Sequence, residues 1–205
     1  VIKRATRPSR KKIRLEFVDP ADRLKTPALT AKTGENLTPL VLGSVLNISP
    51  VVQDAATATY RASLLPCTFS QIRDSGMAVS ATSASGGAFT LTANPIGQVT
   101  CDASNAYDTV LSACNYLAGL QGMSVYQTVN FGAFQNTAKV GLYVADSTSI
   151  WDLMLQLCES IGAFPRFDAL GRLELVHVPH AGMATVTLED DDIVLNTLQQ
   201  NSVID

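Results

Sequence analysis

The sequence predicts an α+β chain: an antiparallel β-sandwich or barrel region, followed by a domain that mixes strands with two helices. Three observations carry this expectation. Between residues 37 and 101, short runs rich in Val, Leu, Ile and Thr alternate with turn residues, at the spacing of roughly eight to twelve residues seen in antiparallel sandwiches and barrels. Beyond residue 104, two stretches change to helical periodicity. The second of these runs directly into two β-type segments joined at a glycine.

Taken in order, residues 1–36 read as a basic arm and an irregular lead-in. Ile13, Leu15 and Phe17 alternate with Arg14 and Glu16 there, which predicts one short strand. Pro20, Pro27 and the turn-like Thr33-Gly34-Glu35-Asn36 follow. Residues 37–104 form the β-rich domain. LVLGSVLNI (40–48) is its first strand, with Gly43 marking a bulge or a close approach. TATYRASLL (57–65), MAVSAT (77–82), AFTLTA (88–93) and QVTCDA (98–103) are the next strands. Asp74-Ser75-Gly76 and Asn94-Pro95-Ile96-Gly97 supply turns, and Gly86-Gly87, among serines and alanines, reads as a flexible loop.

Residues 105–205 form the second domain. Val110, Leu111, Cys114, Leu117 and Ala118 give a helix over 108–120, with Ser104 as its N-cap and Gly119 or Gly122 as its end. KVGLYVA (139–145) is a strand. A second helix starts after Asp146–Ser149, with Asp152 in its first turn, where a negative charge suits the helix dipole. Ile150, Met154, Leu157 and Ile161 form its apolar face, widened by Trp151 and Cys158, and Gly162 closes it in the left-handed region. AFPRF (163–167) and RLELVHV (172–178) then make a hairpin around Asp168–Gly171. Leu173, Leu175 and His177 face one way on it, Arg172, Glu174, Val176 and Val178 the other. TVTLEDDDIVL (185–195) adds a strand and an acidic turn.

The charge is unevenly placed. Seven of the 15 basic residues fall in the first fourteen positions, with no acidic one among them; the rest of the chain carries 8 basic against 18 acidic groups, a balance of −10. A basic arm invites a nucleic-acid partner, but no aromatics interleave it and no nucleic-acid motif follows, so nucleic acid is not expected. A chain that starts with Val1 reads as a fragment or a processed product. No run of eighteen apolar residues occurs, so no helical membrane anchor is expected.

Chemistry-bearing residues are sparse. Cys67, Cys101, Cys114 and Cys158 form no C-x-x-C pair, so structural zinc is not expected and buried free thiols are. A Cys67–Cys101 disulfide is open, although a reducing site of synthesis fits better. Glu189–Asp192 is dense in carboxylates but lacks the alternation and central glycine of a calcium loop. His177 lies on a strand and Pro179 breaks any helix reaching His180, which excludes the H-E-x-x-H zinc arrangement. Asp102, Asp108, Asp146 and Asp152 each sit at a predicted helix start, where capping accounts for them. Trp151, at helical spacing, reads as core. Neither a G-x-S-x-G elbow nor a phosphate-binding glycine loop is present. The chain therefore reads as a non-enzyme with no catalytic, cofactor-binding or metal residues and no cofactor.

Three segments resemble a known family when taken in order: PLVLGSVLNISPVVQDAATATYRAS (39–63), AFTLTANPIGQVTCDAS (88–104) and VGLYVADSTSIWDLMLQLCESIGAFPRFDALGRLELVHV (140–178). Together they look like the tail-tip or baseplate hub proteins of long-tailed bacteriophages and related gene-transfer particles, over roughly residues 37–200. The loop 74–88 is short compared with many relatives, and the usual proteins are far longer. The resemblance implies a hub-type β-barrel second domain with two packed helices. It implies a structural virion component at the tail tip, made in the bacterial cytoplasm. Its partners would be other tail proteins (tube, distal tail and fibre components) and copies of itself. The competing expectation is a carbohydrate-binding module of a host-recognition protein, motivated by the β-rich region. A tail-associated wall hydrolase comes last.

Overall fold

A computed structural model of the chain describes residues 2–9 and 12–17 as backbone, and 19–126 and 138–177 in full. The amino-terminal arm is a hairpin, and the lead-in after it is regular in part. Strand β1 (Ile2–Ser9) pairs antiparallel with β2 (Lys12–Phe17), and the ladder sets Ile2 opposite Phe17, Ala5 opposite Leu15 and Arg4 opposite Glu16. The alternation in 13–17 was legible. Ile2–Ser9 has no such pattern, and its partner makes it a strand. A 3₁₀ helix, Pro20–Lys25, follows; the Asp19 carboxylate accepts from the Ala21 amide and Leu24 is fully buried. Strands β3 (Lys32–Thr33) and β4 (Asn36–Leu37) turn at Gly34.

The β-rich region continues with β5 (Leu40–Ile48), β6 (Val51–Asp54), β7 (Thr59–Arg61), β8 (Thr68–Asp74), β9 (Met77–Ala78), β10 (Ala81–Ser85), β11 (Ala88–Leu91) and β12 (Val99–Ser104). Four of them form an antiparallel sheet in the order β10-β11-β7-β6. Between this sheet and one built on β5, β12 and β8 lies a shared core of Val41, Val45, Tyr60, Ile72, Phe89 and Cys101, among others. That is sandwich packing. The strand read over 57–65 stops at Arg61, because the buried Ser63 hydroxyl accepts from the Val41 and Leu65 amides and turns the chain out of its sheet. The segment 77–82 divides into β9 and the start of β10. Gly86-Gly87 is a tight hairpin turn, not a flexible loop: both residues have positive φ, and Ser85 pairs with Ala88.

Beyond it come helix α1 (Val110–Gly119), β13 (Val125–Tyr126), β14 (Gly141–Val144), helix α2 (Ile150–Glu159), β15 (Ala163–Phe167) and β16 (Leu173–His177). Ser104 does not cap α1; it ends β12, and Thr109 is the cap, in a reciprocal box with Ser112. Ser149 caps α2 through the Asp152 amide. Replacing either cap by alanine is expected to cost about 1 kcal/mol, read as a lower midpoint in urea unfolding. Gly162 takes the expected left-handed conformation. Helix α2 packs on β15 and against α1. Their core holds Leu24, Leu40, Leu42, Leu117, Met154 and Leu175.

Strand β14 joins the first region, giving a five-stranded sheet in the order β14-β5-β12-β8-β9. Along β5, Leu40 and Leu42 enter the helical core while Val41 and Val45 enter the sandwich core. The alternation of one strand thus links the two cores, across the boundary expected at 104/105. The third sheet, β13-β16-β15, is open, with β13 parallel and β15 antiparallel to β16. The class is α+β and mainly antiparallel β; among the described residues no sheet closes into a barrel.

A repeat emerges from this order. Strand, loop, capped helix, turn and strand recur with a shift of 40 residues, from Thr109 to Ser149 at the caps. Val110 matches Ile150, Leu117 matches Leu157, and Gly122 matches Gly162, both at positive φ. Each helix start is latched by another segment: Val140 N donates to Asp108 O, and Ala28 N to Thr148 O.

Candidate functional site

The residues with chemical potential are scattered, and most serve the backbone. Asp102 is not at a helix start but inside β12, where both neighbouring strands carry an extra residue. Its carboxylate accepts two bonds from the Arg73 guanidinium, each 2.7 Å, and one from the Asn47 amide, also 2.7 Å. Asn47 has positive φ, so the carboxylate steadies a bulge that a regular ladder would leave open. The Arg73 bonds first, and the Asn47 amide second, hold the Asp102 carboxyl down at about 2. Asn105, which sequence reasoning passed over, staples the same strand: it accepts from the Gly43 and Tyr107 amides and donates to the Val41 carbonyl. Its only sequence signal was a short amide side chain just after a strand.

Asp108 pairs with Lys139, Asp146 accepts from Thr148, and Asp152 from Ser149. No two of these carboxylates share a site. His177 ends β16 half-buried, while His180 and Glu189–Asp192 lie outside the described residues. Cys67, Cys101, Cys114 and Cys158 are free thiols. Burial, and then the Asp102 charge, push Cys101 up to about 12. The neighbouring Cys158 thiol, together with burial, raises Cys114 well above the thiol range. Thiols held protonated in this way are poor nucleophiles. Among the described residues no group of three His, Cys, Asp or Glu side chains could hold a metal ion. Trp151 is half-buried and stacks on Phe167 at 6.3 Å.

Two surfaces remain as candidates. One is a cleft of about 440 Å³ beside β13 and β16, lined by Arg23, Tyr126, Phe167 and Arg172 among others. Arg172 lies 4.0 Å from the Tyr126 ring centroid and bonds Asp168 at 2.6 Å, while Arg23 donates to the Gln121 carbonyl at 2.6 Å. Both guanidinium groups are therefore engaged. The other surface is the loop end of the five-stranded sheet. There the Asp74 carboxylate gathers the Ile96 and Gly97 amides at 2.6 and 2.8 Å. These amide bonds lower its pKa. Met77, opposite Asp74 in the ladder, is 73% exposed and Ile96 is 96% exposed. Held loops with bare apolar tips suit docking against another surface. They bring no reacting groups together.

In the β-rich region Tyr60 and Phe89 are buried and stacked on each other, with Phe69 edge-on to Phe89. Tyr60 and Phe89 are core, and Phe69 is partly buried against them. Comparison with protein-family models, with curated proteins and with solved structures finds no match. Among the described residues no helix is long and apolar enough to cross a membrane.

Proposed function

We propose that this chain is a structural component of a phage tail tip or baseplate hub, joining the tail tube to distal host-recognition parts. The helix-backed hairpin carries the reading. Helix α2 ends at Glu159, the chain turns at Gly162 into β15, on which the helix packs, and β15 returns through the Asp168–Gly171 turn into β16. This is the order for which 140–178 resembles the hub proteins. Such a unit is stiff because apolar burial holds the helix to the strands, and its outer strand presents a backbone edge to a neighbour. Pro165 and Arg166 on that edge limit indiscriminate pairing. The strand, capped helix and following strand of this unit recur 40 residues earlier, as β12, α1 and β13, which adds support. Assembly of this kind needs shape and backbone pairing, not bond chemistry. Its partners are other tail proteins and further copies of the chain, within the virion.

Immunogold electron microscopy tests the reading. Antibody against the chain should place gold at the distal end of tails on particles from the source culture. Intact tails without gold, from cells in which the same antibody detects the protein, would refute it.

A further inference from the structure

We propose that the β1–β2 hairpin is a cationic arm by which one copy of this chain grips the acidic body of a second copy. The inference rests on the charge split and on the hairpin's place in the topology, and is independent of the tail reading. Lys3, Arg4 and Arg7 lie on β1 and Lys12 and Arg14 on β2. With Arg10 and Lys11 between the strands, seven basic residues meet one acidic residue, Glu16, in the first seventeen positions.

The hairpin is a two-stranded sheet of its own; among the described residues neither strand joins another sheet. Two-stranded hairpins are marginal in water unless something covers them. The body offers charge of the opposite sign. Its cations are largely spent internally, in the pairs Arg73–Asp102, Arg166–Glu174, Arg172–Asp168, Lys25–Asp22 and Lys139–Asp108. Glu35, Asp54, Asp146, Asp152 and Glu159 have no cationic partner among the described residues, and helix α2 carries no basic residue at all.

Reach allows a neighbour. Eight residues of extended chain span about 26 Å. Two residues separate Phe17 from Pro20, whose 3₁₀ helix is anchored by buried Leu24. Charge favours a protein neighbour over nucleic acid. The rest of the chain, with 8 basic against 18 acidic groups, repels a phosphate backbone. A second copy presents that same charge as attraction.

Sedimentation or light scattering of the full chain across a concentration series, at 50, 150 and 500 mM NaCl, tests this. Self-association is expected at low salt, weakening about tenfold or more at 500 mM as screening shortens the range of the charges. The combined variant Lys3→Gln, Arg4→Gln, Arg7→Gln, Lys12→Gln and Arg14→Gln should remain monomeric at 50 mM with an unchanged melting temperature of the body. The salt series on the unaltered chain stands as a test even if that variant fails to fold. A chain monomeric at every salt, or association indifferent to both salt and variant, would overturn the proposal. So would tight binding of labelled duplex DNA at 150 mM. Gold on tails together with a monomer in solution would discard the arm and keep the tail reading; association without gold would do the reverse.

Discussion

Replacing Gly43 by alanine is expected to cost about 3 kcal/mol or more, while the same change at Gly34 costs only about 1–2 kcal/mol. Both glycines have positive φ, so both substitutions strain the backbone. The difference is space. A methyl group on Gly43 would overlap the Val140 carbonyl oxygen, whereas nothing lies within 4 Å of one on Gly34. At Gly43 the obstacle is backbone, and it cannot rotate away. Gly43 faces Gly141 across the β5–β14 ladder, so the collision forces apart the two strands that join the sandwich to the helices. Thermal melts of both variants decide the matter. Equal shifts would show that conformational strain alone governs the position. A second transition appearing only in Gly43→Ala would show that the two cores depend on this contact for their cooperativity.

Asp102→Asn is expected to destabilise the fold by about 2–3 kcal/mol at neutral pH. The amide cannot accept both guanidinium bonds and the Asn47 amide as a carboxylate does, and it leaves Arg73, one-fifth exposed, without its counter-charge. The pH dependence gives a sharper test. The folded carboxyl titrates near 2 and the unfolded one near 3.8. A depressed folded pKa means that the carboxylate stabilises fully above the unfolded value, and that this contribution is lost as pH falls from about 4 toward 2. The gap in stability between the parent chain and Asp102→Asn should therefore close over that window. Asp54, Asp74, Asp146 and Asp168 are also depressed, and they act alike in both chains, so the difference isolates Asp102. A gap that stays constant from pH 5 to pH 2.5 would contradict the assignment.

Asp102 also shows where sequence reasoning failed. Read along the chain, it precedes a helical pattern and looks like a cap. In space it lies between two bulges, and a bulge leaves no mark in the sequence until the partner strands are known. The same bulges hid β8. Phe69 and Ile72 both pack toward the sandwich core, but three positions apart they break the alternation by which a strand is recognised. The helices were legible because each is a local object: an apolar stripe, a hydroxyl cap and a closing glycine lie within one stretch of chain. The first cap was misplaced by five residues, because Ser104 belongs to β12, while Thr109, boxed with Ser112, caps the helix.

By itself, the sequence determined the α+β class, both helices, the β15–β16 hairpin, the need for glycine at 43 and the split between a basic arm and an acidic body. Each of these depends on neighbours in sequence or on composition. Tertiary structure alone decided that β1 pairs with β2, that β5 serves two cores at once and that β14 completes the sandwich sheet. Those facts depend on strand pairing between residues as distant as Leu42 and Leu142. Such pairing is a contest among all the edges of the chain, and a local pattern of residues cannot settle it.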